Sequence, residues 1–325
     1  MTTGGPETGA LPGRPVRAIL KLTYRCTNRC RFCRVDDSRG TVRDMPLDAA
    51  AARLVEAKSL GVQMVLFSGG EPTLREDLPR IVRAATSLGL SWGLITNGRR
   101  LAYPEYRRAL LDSGLAYVHT SLHGATAATH DAIVQCAGHR DVLRAIEGLC
   151  GAGVELHVNT VITRSNLAEL GAISDLLAGL GPLTHKLCLM EPRGLFHRYE
   201  QDLLVRPEQA ARAATAVARE MRKRFPGTGF RCEIEGFPHC QVPPDLAAGL
   251  HTHGIRYLCE GFEDRFYPAD HGERAFLAPC EACAAREDCP GVYRGYAQRF
   301  GASGLRPVTA SRPRRSPARR PPRAD

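Results

Sequence analysis

The chain has 325 residues, 43% of them apolar and 24% charged, enough for one large domain or two modest ones with a substantial core. That composition excludes a disordered chain, a collagen or a disulfide miniprotein, and no apolar run approaches the ~18 residues needed to cross a bilayer. The formal net charge of +10 is concentrated at one end: Arg306 to Asp325 holds seven arginines and one acid. The remainder carries about +4, ordinary for an enzyme.

In chain order, residues 1–16 are expected to be disordered, and Met1 to Pro15 lacks the apolar stretch of an export signal, so the expected location is the cytoplasm. Apolar runs rich in β-branched residues predict strands at about 17–24, 62–68, 91–97, 115–122, 154–163 and 184–191. Between and after them, helices are expected at about 47–60, 76–88, 104–113, 139–151, 166–179 and 207–225. Six alternations of strand and helix predict an α/β fold, a partial (β/α)6 TIM-type barrel of right-handed βαβ units. Its working residues belong at the C-terminal strand ends. After residue 226 Gly, Pro, Cys and aromatics replace the periodic pattern, so the barrel is placed at 17–226 and a cysteine-rich extension at 227–304. Residues 305–325, rich in Arg and Pro, are expected to be a solvated tail.

Twelve cysteines in a cytoplasmic protein point to metal, because disulfides are reduced there. Three of them, Cys26, Cys30 and Cys33, form C-x3-C-x2-C directly after the first strand. The spacing also suits one buried helical face, but Thr27, Asn28, Arg29 and Arg31 between the cysteines are polar. Zinc is a second reading, although a structural zinc usually takes four protein ligands. Three thiolates on a loop can instead hold three irons of a [4Fe–4S] cluster and leave the fourth open.

With the aromatic Phe32 before its last cysteine, this motif resembles that of the radical S-adenosylmethionine (SAM) superfamily. Ser68-Gly69-Gly70-Glu71-Pro72, after the second strand, resembles the superfamily's GGEP motif. The resemblance covers roughly residues 17–230 and implies a SAM-binding [4Fe–4S] cluster that splits SAM reductively to a 5′-deoxyadenosyl radical. It also implies that Gly69 and Gly70 admit the methionine part of SAM, that Glu71 accepts from its ammonium, and that Pro72 completes the turn. Asn97 and Ser121, near the ends of the third and fourth strands, correspond to contacts with the carboxylate and ribose. Asn159 on the fifth strand stands near the adenine position, without the G-x-I-x-G pattern often found there. A flavodoxin- or ferredoxin-type electron donor is implied as partner.

Cys240, Gly254, Cys259, Cys280, Cys283 and Cys289 match in order and spacing the first five cysteines of the SPASM extension. Tyr293 takes the place of the sixth, and no cysteine follows Cys289. The shortened twitch form, with one auxiliary [4Fe–4S] cluster, fits better than two clusters. One cysteine is then spare, as a hydrogen-atom donor or a bystander, or the coordination differs. A zinc ribbon is the alternative reading of this region.

Period-two alternation places His119, Ser121 and His123 on one strand face and Glu155, His157 and Asn159 on another. Lys186, Arg193 and Arg164 lie near later strand ends, where cations bind carboxylate or phosphate. His119, His123, Lys186 and Arg193 are therefore the candidate catalytic residues, each with an ordinary structural role as its alternative. These features favour a polar small molecule, and only about sixteen residues precede the first strand, which argues against a ribosomal peptide substrate. By analogy with antibiotic-pathway relatives, the leading expectation is decarboxylation of a sugar acid or nucleoside. The alternatives are an aminoglycoside epimerase or dehydrogenase, a ribosomal-peptide maturase, and a zinc-stabilised module contacting nucleic acid through the arginine tail. Among them nucleic acid and membrane are the least expected partners.

Overall fold

In the computed structural model, residues 16–34, 42–243, 246, 256–260, 266–268 and 274–309 are described. Strands β1 (Val16–Thr23), β2 (Met64–Gly69), β3 (Ser91–Ile95), β4 (Leu115–Ser121), β5 (Glu155–Ile162) and β6 (Thr184–Leu189) realise the six expected strands. Helices α1 (Leu47–Ser59), α2 (Leu78–Ser87), α3 (Pro104–Asp112), α4 (Ala127–Val134), α5 (His139–Leu149), α6 (Leu170–Leu180), α7 (Glu200–Leu203) and α8 (Pro207–Arg224) run between and after them. Of these, α4 and α7 are additional to the expected helices. Strand β7 (Arg231–Glu235) follows α8. Beyond it lie β8 (Arg256–Glu260), β9 (Phe266–Pro268), β10 (Arg274–Ala275), β11 (Val292–Tyr293) and α9 (Arg294–Phe300).

The main sheet has the order β7-β6-β5-β4-β3-β2-β1-β8-β9. Every neighbouring pair from β7 to β8 is parallel, and only β9 is antiparallel to its neighbour. The sheet is the expected partial barrel, carried one strand further at one edge by β7 and two at the other by β8 and β9. β7 therefore continues the sheet past residue 226, where the barrel was expected to end. Among the described residues no helix is long and apolar enough to cross a membrane.

Alternation divides each strand between two environments. Ala18, Leu20 and Leu22 of β1, Val65 and Phe67 of β2, Trp92 and Leu94 of β3, and Val118 and Val158 of β4 and β5 are buried against the helical layer. Helices with one apolar stripe meet them there, such as α2 through Leu78, Ile81, Val82 and Ala85. The opposite face carries Arg17, Tyr117, His119, Ser121, Glu155, His157, Asn159, Lys186 and Glu235, so the barrel lumen is polar. That face explains why β7 is hard to read as a strand: in Arg231-Cys-Glu-Ile-Glu235 only two alternate residues are apolar.

Candidate functional site

The cysteine loop leaves the end of β1 and is pinned by the loop after β2. Gly70 N–H donates to Thr23 O at 2.7 Å and Glu71 N–H to Arg25 O at 2.8 Å. Both glycines are required by this approach. A Cβ on Gly69 would stand 2.0 Å from Thr23 O, at a φ of +123°, and one on Gly70 would stand 2.3 Å from Arg25 O. The Gly-Gly step thus clamps backbone to backbone beneath the thiols.

Glu71 is fully buried. Its Oε1 accepts from Thr73 N (3.1 Å), Thr73 Oγ1 (2.6 Å) and Thr96 Oγ1 (2.7 Å), and its Oε2 from Asn97 N (2.7 Å). Burial pushes its carboxyl above the ordinary value, and the bonds from Thr73, Asn97 and Thr96 pull the other way. The side chain expected to meet an ammonium is here a strut between the ends of β2 and β3, with Pro72 buried in the short turn it caps. Asn97, held by that strut, directs Nδ2 towards Cys26 Sγ at 3.7 Å and Thr27 Oγ1 at 3.0 Å.

The loop is also fixed from its far side. Arg29 N and Arg31 N donate to Val134 O and Ile133 O, both at 3.0 Å, and Leu195 N donates to Cys33 O at 3.2 Å. Phe32 packs with Met190, Phe196 and Leu203 and meets the His123 ring edge-on at 5.0 Å. His123 is buried, its Nδ1 accepting from Val161 N at 3.3 Å, and burial followed by the nearby His130 holds its pKa well below the usual value. Arg193 lies 3.6 Å from Glu191, which also takes Arg34 at 2.6 Å, so this cation sits beside the loop. Arg164 donates to Leu204 O at 3.2 Å.

Cys26, Cys30 and Cys33 are half-buried and in no disulfide. Asn28 N–H donates to Cys26 Sγ at 3.4 Å. On β4 and β5, Ser121 pairs in register with Asn159, whose Oδ1 is buried with no hydrogen-bond partner among the described residues. Three thiols on a pinned loop after β1, with an orphaned acceptor on the lumen face of β5, fit a three-cysteine cluster and a polar ligand in the same lumen.

Further down the lumen, Glu155 accepts from Arg17 at 2.8 Å and pairs with His157 Nε2 at 3.0 Å. The His157 contact is the main cause that lowers its pKa to about 2, Arg17 adding to it against burial. His119 lies 6.4 Å from the His157 ring, and its pKa falls to about 3, through burial first and Lys186 second. Lys186 is not an open cation: its Nζ contacts Glu235 Oε2 at 2.8 Å. Burial alone lowers the Lys186 pKa, and the Glu235 carboxylate more than reverses that. Sequence reading missed Glu235, although the period-two pattern of Arg231–Glu235 was its signal.

The extension holds a second cysteine group. Cys240, Cys280, Cys283 and Cys289 line one small hollow with Pro238, Phe276, Val292 and Leu305. Backbone N–H groups converge on the sulfurs: His239 N and Gly291 N on Cys289, both at 3.4 Å, and Val308 N on Cys283 at 3.3 Å. Arg306 N–H bonds Cys240 and opposes the burial that raises its pKa. Residues 305–309, expected within the solvated tail, thus cover the cysteines, because their backbone supplies these donors. The backbone of Cys259 is on β8, in register with Ile19 and Tyr267, and its side chain lies outside the described residues. Tyr293 is on β11, with the Arg274 guanidinium 3.4 Å from its ring centre. Among the described residues no three Cys, His, Asp or Glu side chains converge on a single-ion position.

Residues 20–177 match the sequence profile of the radical SAM superfamily. The chain is 33% identical over 218 residues to a PqqA peptide cyclase of Streptomyces rochei, covering 66% of this chain and 59% of that protein. It is 29% identical over 197 residues to an AdoMet-dependent heme synthase of Nitratidesulfovibrio vulgaris, covering 59% of this chain and 53% of that protein. The chain spans about half the length of several curated relatives it matches. SuiB of Streptococcus suis, solved bound to S-adenosylmethionine, superposes with a TM-score of 0.64 at 15% identity, over 91% of this chain and 77% of that one. The chain carries a radical SAM domain over residues 20–177, of the superfamily whose cofactors are a [4Fe–4S] cluster and S-adenosylmethionine.

Proposed function

We propose that this chain is a radical SAM enzyme that modifies a peptide. The observation that carries the reading is the match, at 28–37% identity, to relatives named PqqA peptide cyclase. It takes the place of the expected sugar acid or nucleoside, which rested on analogy, on a polar lumen and on cations near the strand ends. Lys186 is paired to Glu235 and Arg193 lies beside Glu191, so that support weakens.

In this reading Cys26, Cys30 and Cys33 hold the SAM-binding cluster, and Cys240, Cys280, Cys283 and Cys289 hold one auxiliary cluster. Cys259 is left as the spare cysteine. The two cofactors together supply, when bound, a carbon radical that removes hydrogen from an unactivated position. The chain's own work is positional. Glu71 and the Gly69–Gly70 clamp fix the cysteine loop, Asn97 and Asn159 present polar groups beside it, and the lumen orients the substrate away from water.

The test is anaerobic incubation of the reconstituted full chain with SAM, dithionite and synthetic copies of short peptides encoded beside its gene. The proposal expects 5′-deoxyadenosine together with a peptide lighter by two hydrogens. Carbon dioxide from a sugar acid, with every peptide unchanged, contradicts it.

A further inference from the structure

The ion pair in the lumen has an asymmetric exposure. The Lys186 side chain is 5% accessible and that of Glu235 is 36% accessible, so Glu235 is the member of the pair that a ligand can reach. Oε2 is taken by Lys186, and among the described residues Oε1 accepts no hydrogen bond. A second unpartnered polar atom lies two strands away, on β5. His157 is 7% exposed; its Nε2 lies 3.0 Å from Glu155 Oε1, and its Nδ1 is buried without a hydrogen-bond partner among the described residues. His119, in register with His157 on the neighbouring β4, lies 6.4 Å from its ring.

We infer that Glu235, at the C-terminal end of β7, forms a binding subsite for a substrate group that is positively charged and donates hydrogen bonds, an ammonium or guanidinium. Lys186 is its positioning residue. A cationic donor entering here meets both the charge and the unused oxygen of Glu235, whereas a carboxylate entering this wall meets like charge. The contact between β10 and the residue after β7 keeps the wall in place: Arg274 Nη1 donates to Gly236 O at 2.8 Å. The subsite deepens the peptide reading by naming a cationic side chain, and relies on it only for the substrate's lying inside the barrel.

The test uses the anaerobically reconstituted full chain and four probes, n-butylammonium, butyrate, and acetyl-amide-blocked Ala-Lys-Ala and Ala-Glu-Ala, with binding read by ligand-observed NMR. The parent protein is expected to bind the cationic member of each pair about tenfold tighter. The swapped variant K186E/E235K, which keeps the pair and reverses its orientation, is expected to invert that preference. E235Q, nearly the same shape, is expected to abolish the preference for the cation, and serves if the swap does not fold. A preference for n-butylammonium that inverts in the swap, with neither peptide bound, supports the subsite and counts against the peptide reading. An unchanged preference in folded E235Q, or no preference for either cation in the parent protein, overturns the inference.

Discussion

The two cysteine groups solve opposite problems. At the end of β1 three half-buried thiols stand on a loop fixed by polar struts, Glu71 beneath and the Val134 and Ile133 carbonyls at its side, and polar groups surround them. In the extension four thiols line an apolar hollow, with backbone N–H groups from both sides of the chain aimed at the sulfurs. Three ligands with polar neighbours suit a cluster that keeps one corner for a ligand, and four ligands in an apolar wall suit one that is closed. The contrast teaches that the polarity of the surroundings, as much as the cysteine count, assigns a role to each site.

Breaking one ligand at a time sharpens that contrast. Cys26→Ala is expected to abolish SAM cleavage altogether, whereas Cys280→Ala is expected to lose the auxiliary iron and keep uncoupled cleavage, read as 5′-deoxyadenosine without substrate. Equal loss in both variants contradicts the division of labour. Gly69→Ala acts one step removed: its Cβ meets Thr23 O at 2.0 Å. It is expected to destabilise the protein by more than about 3 kcal/mol, seen in urea denaturation, and to lower iron at the first site only.

A smaller effect concerns the barrel that carries the first site. His185 is fully buried, accepting or donating at Thr160 Oγ1 (2.8 Å) and Ser174 Oγ (3.0 Å), and burial lowers its pKa to about 3. The unfolded chain binds this proton below the ordinary histidine value of 6.5 and the folded one only near 3, so stability is lost as pH falls through that window. His130, lowered to about 4, adds to the loss. His185→Gln is expected to flatten the decline between about pH 6 and 5 by up to about 1.4 kcal/mol per pH unit, measured by denaturant midpoints at each pH. An unchanged slope excludes His185 as a contributor.

The sheet was legible because the helix-facing strand residues are apolar at period two, and β1 to β6 fall within about two residues of the segments expected. β7 was not, since its inward residues Glu233 and Glu235 serve a polar lumen and leave little apolar signal. The cysteine loop and Gly69–Gly70–Glu71 were visible as spacing, but spacing alone does not show that Glu71 spends its carboxylate on Thr73, Thr96 and Asn97. Lys186 read as an open cation because its partner Glu235 is 49 residues away in the chain. The grouping of Cys240 with Cys280, Cys283 and Cys289 likewise depends on contacts across long separations that no local pattern encodes.

The most direct measurement is electron paramagnetic resonance of the anaerobically reconstituted, dithionite-reduced chain, with and without SAM, alongside its iron content. The two-site account predicts about eight irons per chain and two [4Fe–4S] signals, of which SAM perturbs one. Zinc in place of the second signal, or a spectrum that SAM leaves unchanged, contradicts it.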